Sequence, residues 1–264
     1  MINENHLTAG ISLSAPHASR PILDIRCLGV VGYEAALAIQ EQIRDRLLRS
    51  EGNPTLLLLT HPPTITLGRL SVPEDLIVDE GRIREEGIAV VRANRGGRAT
   101  YHGPGQLLGY PILDLQRLTE PRSDGGGSAG PSVRKYLRDL EECLIRALRR
   151  LGLEGRRMEG ATGVWIEDRK IASIGVAVRR WVTLHGFALN VDLDLDAFSV
   201  IRPCGFPASV MTSIRKEGGR VPPWIELEQI VSVEFARVFG LHPASEPQSG
   251  RVSPKLALSD TRPR

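Results

Sequence analysis

Apolar positions along this chain switch repeatedly between short continuous runs and helical spacing. Pro21–Val31 reads as a strand, and in Tyr33–Ser50 the apolar residues fall at Ala36, Ile39, Ile43 and Leu47, one face of a helix. Thr55–Leu59 is a buried apolar strand ending at His61-Pro62-Pro63, and Thr64–Leu67 reads as its return strand. Ile88–Val91 predicts another short strand, followed by a glycine-rich stretch and Leu107–Leu115. Thr119–Ser132 holds Gly125-Gly126-Gly127 and two prolines, as a flexible insertion loop does. Helical spacing returns from about Val133 to Leu151, with Tyr136, Leu140, Leu144, Ala147 and Leu151 on one face and Gly152 as the stop. Gly163–Ile166, a turn at Glu167-Asp168-Arg169 and Lys170–Arg179 then predict a hairpin. A third strand, Val182–Val191, lies beyond a tight corner, and Leu227–Phe239 predicts the last helix. Residues 1–20 and 243–264 are polar, aperiodic or rich in Pro, Ser and charge, and read as disordered tails. Between them lies one α+β domain spanning about 21–242, without internal repeats.

Composition narrows the class. With 41% hydrophobic and 25% charged residues in a chain of 264, a soluble globular protein is expected. No stretch approaches the ~20 consecutive apolar residues of a membrane span. The start, MINENHLTAGISLSAPHASR, lacks the basic and apolar regions of a secretory signal. Cys27, Cys143 and Cys204 are far apart, odd in number and without a CxxC pair, so free thiols in a reducing, cytoplasmic setting are expected, not disulfides or zinc. The net charge of +3 is almost all arginine; the only lysines are Lys135, Lys170, Lys216 and Lys255. Scattered arginines suit an acidic protein partner, or none, better than nucleic acid.

Three places carry candidate chemistry. Cys27 lies in an apolar strand and Cys143 on a helix face, both positions of core packing. Cys204, in Ile201-Arg202-Pro203-Cys204-Gly205-Phe206-Pro207, stands where two prolines and a glycine forbid a regular element. It reads either as a presented nucleophile with Arg202 nearby or as an ordinary loop cysteine. Lys170 falls by alternation on the face of Ala172, Ile174, Val176 and Val178, where a lysine either snorkels to water or is held in a pocket. The stretch Arg95–Gln106 is glycine-rich but is neither a Walker A loop nor a Rossmann fingerprint. It reads as a close approach to a ligand or as a hairpin loop with glycine turns. His102 within it reads as a base or as a satisfied structural histidine.

The segments RGGRATYHGPGQLLGYPILDL (95–115), GVWIEDRKIASIGVAVRRWVTLHGFALNV (163–191) and IRPCG (201–205) resemble the lipoyl(octanoyl) transferases. His61-Pro62-Pro63 leading to Leu67-Gly68-Arg69 is similar to a further segment of that family, and the resemblance spans about residues 22–240. The departures from the pattern, long tails and the loop near 122–131, touch none of these motifs. The resemblance implies a mixed sheet flanked by helices, as in the catalytic domain of biotin and lipoate protein ligases. It implies transfer of octanoyl from octanoyl-acyl carrier protein to a lysine of lipoyl domains, in 2-oxoacid dehydrogenase complexes and the glycine-cleavage H protein, as the first step of endogenous protein lipoylation. By position, Cys204 is the acyl-thioester nucleophile and Lys170 lowers its pKa. Arg95, Gly96, Gly97, Arg98, Ala99, Thr100, Tyr101, His102, Ser173, Ile174, Gly175, Gly186, Phe187 and Ala188 line the acyl site. A monomer without cofactor, metal, nucleic acid or membrane is expected. The rival on the same fold is an ATP-dependent lipoate or biotin ligase, which typically lacks both the PCG cysteine and HGPGQ. A non-catalytic binder of acyl carrier protein or lipoyl domains should have lost Cys204 or Lys170, and a cysteine hydrolase would need no amine acceptor.

Overall fold

The computed structural model describes residues 21–118 and 130–244. The expected tails, apart from Pro243 and Ala244, and residues 119–129 of the expected insertion loop lie outside the described residues. In chain order the elements are β1 (Ile22–Val30), α1 (Tyr33–Leu48), β2 (Thr55–Thr60), β3 (Thr64–Leu67), α2 (Glu80–Glu85), β4 (Ala89–Arg92), β5 (Ala99–His102), β6 (Gln106–Ile112), α3 (Val133–Arg150), β7 (Arg156–Met158), β8 (Ala161–Ile166), β9 (Arg169–Arg179), β10 (Val182–Asn190), α4 (Trp224–Phe239) and β11 (His242–Pro243).

The run Thr55–Thr60 is apolar throughout because β2 is central and covered on both faces. Leu56 and Leu58 point to a core shared with α3 and α4, whereas Leu57 and Leu59 point to a second core under α1. The sheet has eight strands in the order β11-β1-β2-β6-β10-β9-β8-β7. β11, β1 and β2 are mutually parallel neighbours, and every pairing from β2 to β7 is antiparallel. Helices thus cover both sides of a mixed sheet, the α+β single domain expected. Among the described residues no helix is long and apolar enough to cross a membrane.

Several local readings change. Thr64–Leu67 is not the return strand of β2. It belongs to a separate sheet, β4-β3-β5, parallel to β4 and antiparallel to β5. The reason is a third core: Ile65, Leu67, Ala99 and Tyr101 pack with Ile83, Phe198 and Ile201, away from the main sheet. The glycine-rich stretch contains β5, so it is not merely a loop. Pro243 extends the sheet beside Leu23, and Ala244 N–H donates to the Leu23 carbonyl at 2.9 Å. Finally, Lys170 does not share the face of Ala172 and Ile174. Lys170 pairs with Trp165 and Ala172 with Val164, so Ile171 is an extra residue that breaks the alternation. A one-residue bulge sends everything before it to the other face.

Candidate active site

Two successive hydrogen-bonded turns run through Pro203–Gly205, and between them Cys204 adopts φ 54° and ψ 25°, outside the helical range. For a residue with a Cβ this left-handed conformation costs about 1–2 kcal/mol, and it persists only where surroundings hold it. Here they do. Arg202 N–H donates to the Asp75 carbonyl at 2.8 Å, and Gly205 N–H donates to that of Arg202 at 3.0 Å. The Phe206 ring meets Trp165 edge-on at 5.5 Å. Asp75, fully buried, pairs with the Arg98 guanidinium and accepts from Val72 N–H. A Cβ on Gly205, whose φ is +82°, would lie 2.4 Å from Arg98 Nη1, so glycine lets the arginine cover the turn.

Lys170 reaches this turn from β9. Its Nζ lies 3.6 Å from Cys204 Sγ and 5.3 Å from the centre of the Trp165 ring, and the residue is only 3% exposed. The ammonium is therefore held by a thiol and an aromatic face, not by water. Gly163 makes this possible. A Cβ there would lie 2.5 Å from the Ala172 carbonyl oxygen and 2.7 Å from Lys170 Cε, at a φ of +129°. Gly163→Ala should cost about 1–3 kcal/mol of stability through that strain. It should also displace the lysine, so that Cys204 alkylation slows even at temperatures where the variant is folded; thermal melting beside iodoacetamide kinetics checks both.

Cys204 opens on a pocket of about 460 Å³, open solvent at its mouth included. Of the residues expected there, Arg95, Gly97, Thr100, His102, Ser173, Ile174, Gly175, Gly186, Phe187 and Ala188 line it. Gly96, Arg98, Ala99 and Tyr101 are adjacent but outside the lining. Gly96 N–H ties the segment to the Val176 carbonyl at 2.9 Å, Arg98 holds Asp75, and Ala99 and Tyr101 face the third core. Tyr33 from α1, Leu108 and Tyr110 from β6 and His185 from β10 complete the wall; the last three lie within the quoted segments, but nothing in their spacing marks them as wall residues. Asp75 carries no signal in the sequence, and Gly163 and Trp165 lie in the 163–191 segment without being singled out.

A chain of buried hydrogen bonds fixes the polar wall. Arg95 Nη2 donates to Thr66 Oγ1 at 2.6 Å, and Thr66 donates to His102 Nε2 at 3.2 Å. His102 Nδ1 donates to Gln106 Oε1 at 2.8 Å, because Gln106 Nε2 is used on Asn190 Oδ1 and the Tyr101 carbonyl. Asn190 Nδ2 donates to the Thr212 carbonyl, and Thr212 N–H donates to that of Lys170. His102 has both nitrogens engaged, and burial holds it well below the usual imidazole range. With both nitrogens committed inside the wall, its geometry is that of the satisfied structural histidine. His61 is likewise fixed, with Nδ1 donating to the Val31 carbonyl and Nε2 accepting from the Tyr110 hydroxyl at 2.9 Å. Arg95 pairs with no carboxylate among the described residues. Its N–H groups go to Thr66 and to the carbonyls of Gly96 and Arg98.

Burial, helped by the charge of Arg95, lowers His185 to about 4 from its usual 6.5. The unfolded chain therefore takes up this proton near pH 6.5, whereas the folded protein resists until about pH 4. The corresponding stability, roughly 3 kcal/mol at about 1.4 kcal/mol per unit, is complete above pH 6.5 and lost as pH falls through that window. Melting temperatures between pH 7 and pH 4 should show this slope, and His185→Asn should reduce it without abolishing it, because burial also lowers His61 and His102.

The thiols differ in setting. Cys143 is fully buried, with Sγ towards the Val231 carbonyl, and burial raises its pKa strongly; Cys27 is raised to about 12 by burial and Glu228. Cys204 alone has a cation at its sulfur and a pocket before it.

Residues 32–236 match the lipoyl protein ligase A/B catalytic domain family. The chain is 48% identical over 213 residues to an octanoyltransferase of Syntrophotalea carbinolica, covering 81% of this chain and 92% of that one. It is 46% identical to one of Geobacter metallireducens, covering 80% and 91%, and 41% identical to one of Chloroflexus aurantiacus, covering 85% and 97%. The fold is similar to lipoate-protein ligase A bound with ATP, with a TM-score of 0.65 at 18% identity over 86% of this chain and 90% of that one. A bipartite lipoate protein ligase from Thermoplasma acidophilum gives 0.64 at 19%, covering 88% of each. Through this match and these relatives, the chain belongs to the octanoyltransferases, acyltransferases built on the lipoyl protein ligase A/B catalytic domain.

Proposed function

We propose that this enzyme transfers octanoyl from octanoyl-acyl carrier protein to a lysine of a lipoyl domain through a thioester on Cys204. The observation that carries the reading is the partly buried Lys170 Nζ–Cys204 Sγ contact at 3.6 Å, with Cys204 on the lining of the pocket. A free thiol is only a few per cent thiolate at pH 7, and an adjacent ammonium favours the anion. In the first step the Cys204 sulfur attacks the donor's thioester carbonyl, the carrier's C–S bond breaks, and the leaving thiolate takes its proton from the Lys170 ammonium, which is left a neutral amine. In the second, the acceptor amine attacks the Cys204 thioester, a proton passes from nitrogen to Lys170 or solvent, and the Cys204 thiolate departs as the amide forms. Names of the relatives support octanoyl as the cargo, and the Thermoplasma acidophilum ligase, described with its E2 lipoyl domain, supports such domains as acceptors. The 2-oxoacid dehydrogenase complexes and the glycine-cleavage H protein are the acceptors this reading names.

The rival is ATP-dependent ligation, suggested by the fold of the ATP-bound ligase. The test is intact-mass analysis of the protein mixed with octanoyl-acyl carrier protein without ATP or magnesium. One octanoyl adduct should form, map to the peptide holding Cys204 and discharge onto an added lipoyl domain. An adduct on Cys27 or Cys143, or transfer only with ATP, would overturn the reading.

A further inference from the structure

We propose that the Thr100 hydroxyl is the hydrogen-bond donor to the acyl carbonyl oxygen in both transfer steps; this rests on Cys204 carrying the acyl group. Alternation along β5 turns Ala99 and Tyr101 into the third core and leaves Thr100 and His102 on the pocket wall. The short turn holding Cys204 packs against this strand. The neighbouring polar groups of Thr66, His102 and Arg95 are occupied. Thr66 and His102 satisfy each other, and all five N–H groups of Arg95 end on Thr66 or on backbone carbonyls, so Arg95 lends the site charge but no donor.

The Thr100 Oγ1 is the exception. The residue is 5% exposed, and its buried hydroxyl has no hydrogen-bond partner among the described residues. A buried hydroxyl left unmatched costs about 1–3 kcal/mol. Such an atom, on the wall beside a strained nucleophile, fits a group that finds its partner only when substrate arrives. The Tyr33 hydroxyl is also unpartnered, but its ring belongs to the cluster with His61 and His185 and not to the strand against the turn.

The balance is simple. As a nucleophile bonds to the thioester carbon, the carbonyl π pair moves to oxygen, and the Thr100 O–H points a hydrogen bond at that oxygen. When the pair returns, the carrier thiolate leaves in the first step and the Cys204 thiolate in the second. The hydroxyl proton stays on Thr100 throughout. Because the oxygen gains charge only in the transition state, the donor acts on rate and not on affinity.

Thr100→Val keeps the shape and removes the donor; Thr100→Ser keeps the donor. Single-turnover acylation of Cys204 by octanoyl-acyl carrier protein should fall roughly 10²–10³-fold in the valine variant, the usual loss for one such donor. KM for the carrier should change little, the melting temperature should hold or rise, and Thr100→Ser should restore most of the rate. Iodoacetamide alkylation of Cys204, which develops no oxyanion, should be unchanged in Thr100→Val. Acylation of that variant at the wild-type rate would overturn the assignment. So would alkylation falling in step with acylation, since Thr100 would then only position the sulfur. If wild-type Cys204 takes no octanoyl at all, the thioester reading itself fails, and this inference with it.

Discussion

Cys204→Ala should abolish octanoyl transfer, with a loss on the order of 10⁴-fold or more, as expected when a nucleophile acting in concert with its site is removed. The two other thiols offer no substitute. Cys143 is sealed in the core between α3 and α4, and the Cys27 thiol is held at about 12. The fold should survive, because the turn is held by Asp75, Arg98 and the Phe206–Trp165 contact, none of which uses the sulfur. A melting temperature near wild type would show that the loss is chemical. Cys204→Ser is the sharper variant. An alcohol is almost entirely protonated at neutral pH, so an oxyester should form slowly if at all. Once formed, it should pass its acyl group to an amine far less readily than a thioester does. The measurement is octanoylation of a lipoyl domain by mass spectrometry over time. If Cys204→Ala retained even a few per cent of wild-type transfer, acyl passage on this sulfur would be excluded.

How far the sequence reveals this arrangement depends on how local each contact is. The apolar run Thr55–Leu59, the helical spacing of α1 and α3 and the hairpin from Gly163 to Arg179 are legible because each element states its own period. The small sheet is not, since β3 takes its partners from β4 and β5, beyond a helix and a glycine-rich stretch. Lys170 and Cys204 could each be singled out, but their contact spans 34 positions in sequence, and alternation placed the lysine on the wrong face. One inserted residue, Ile171, inverts that reading, and no periodicity foretells a bulge. The open question at His102 closes only with its neighbours. Thr66 and Gln106 occupy both its nitrogens, although nothing in the string His102-Gly103-Pro104-Gly105-Gln106 says that the glutamine folds back. Asp75 is the extreme case. It sits in an unremarkable Pro73-Glu74-Asp75-Leu76, yet its carbonyl and carboxylate together anchor the turn that holds Cys204.

Lys170→Ala should cost less than loss of the sulfur but more than any other single change at the site. Two roles are separable. As a cation 3.6 Å from the sulfur it favours the anionic nucleophile, and as an amine it can accept the proton that the attacking lysine must lose. Without the ammonium, alkylation of Cys204 at pH 7 should slow on the order of tenfold, since only the thiolate reacts. Acyl transfer should fall further, roughly 10²–10⁴-fold, because proton transfer is lost as well. Lys170→Arg divides the two. A guanidinium keeps the charge and also stacks on Trp165, but it does not give up a proton near neutrality. This variant should alkylate faster than Lys170→Ala and should still take octanoyl onto Cys204. It should then release that octanoyl to the lipoyl domain slowly, so the adduct accumulates in intact-mass spectra. In wild type the adduct should discharge at once when the acceptor is added. If Lys170→Ala alkylates at the wild-type rate, the ammonium does not activate the sulfur. If Lys170→Arg also discharges its adduct normally, no proton passes through this residue. Together those two results would reduce Lys170 to a spacer beneath the turn, and the strain at Cys204 would have to supply the reactivity alone.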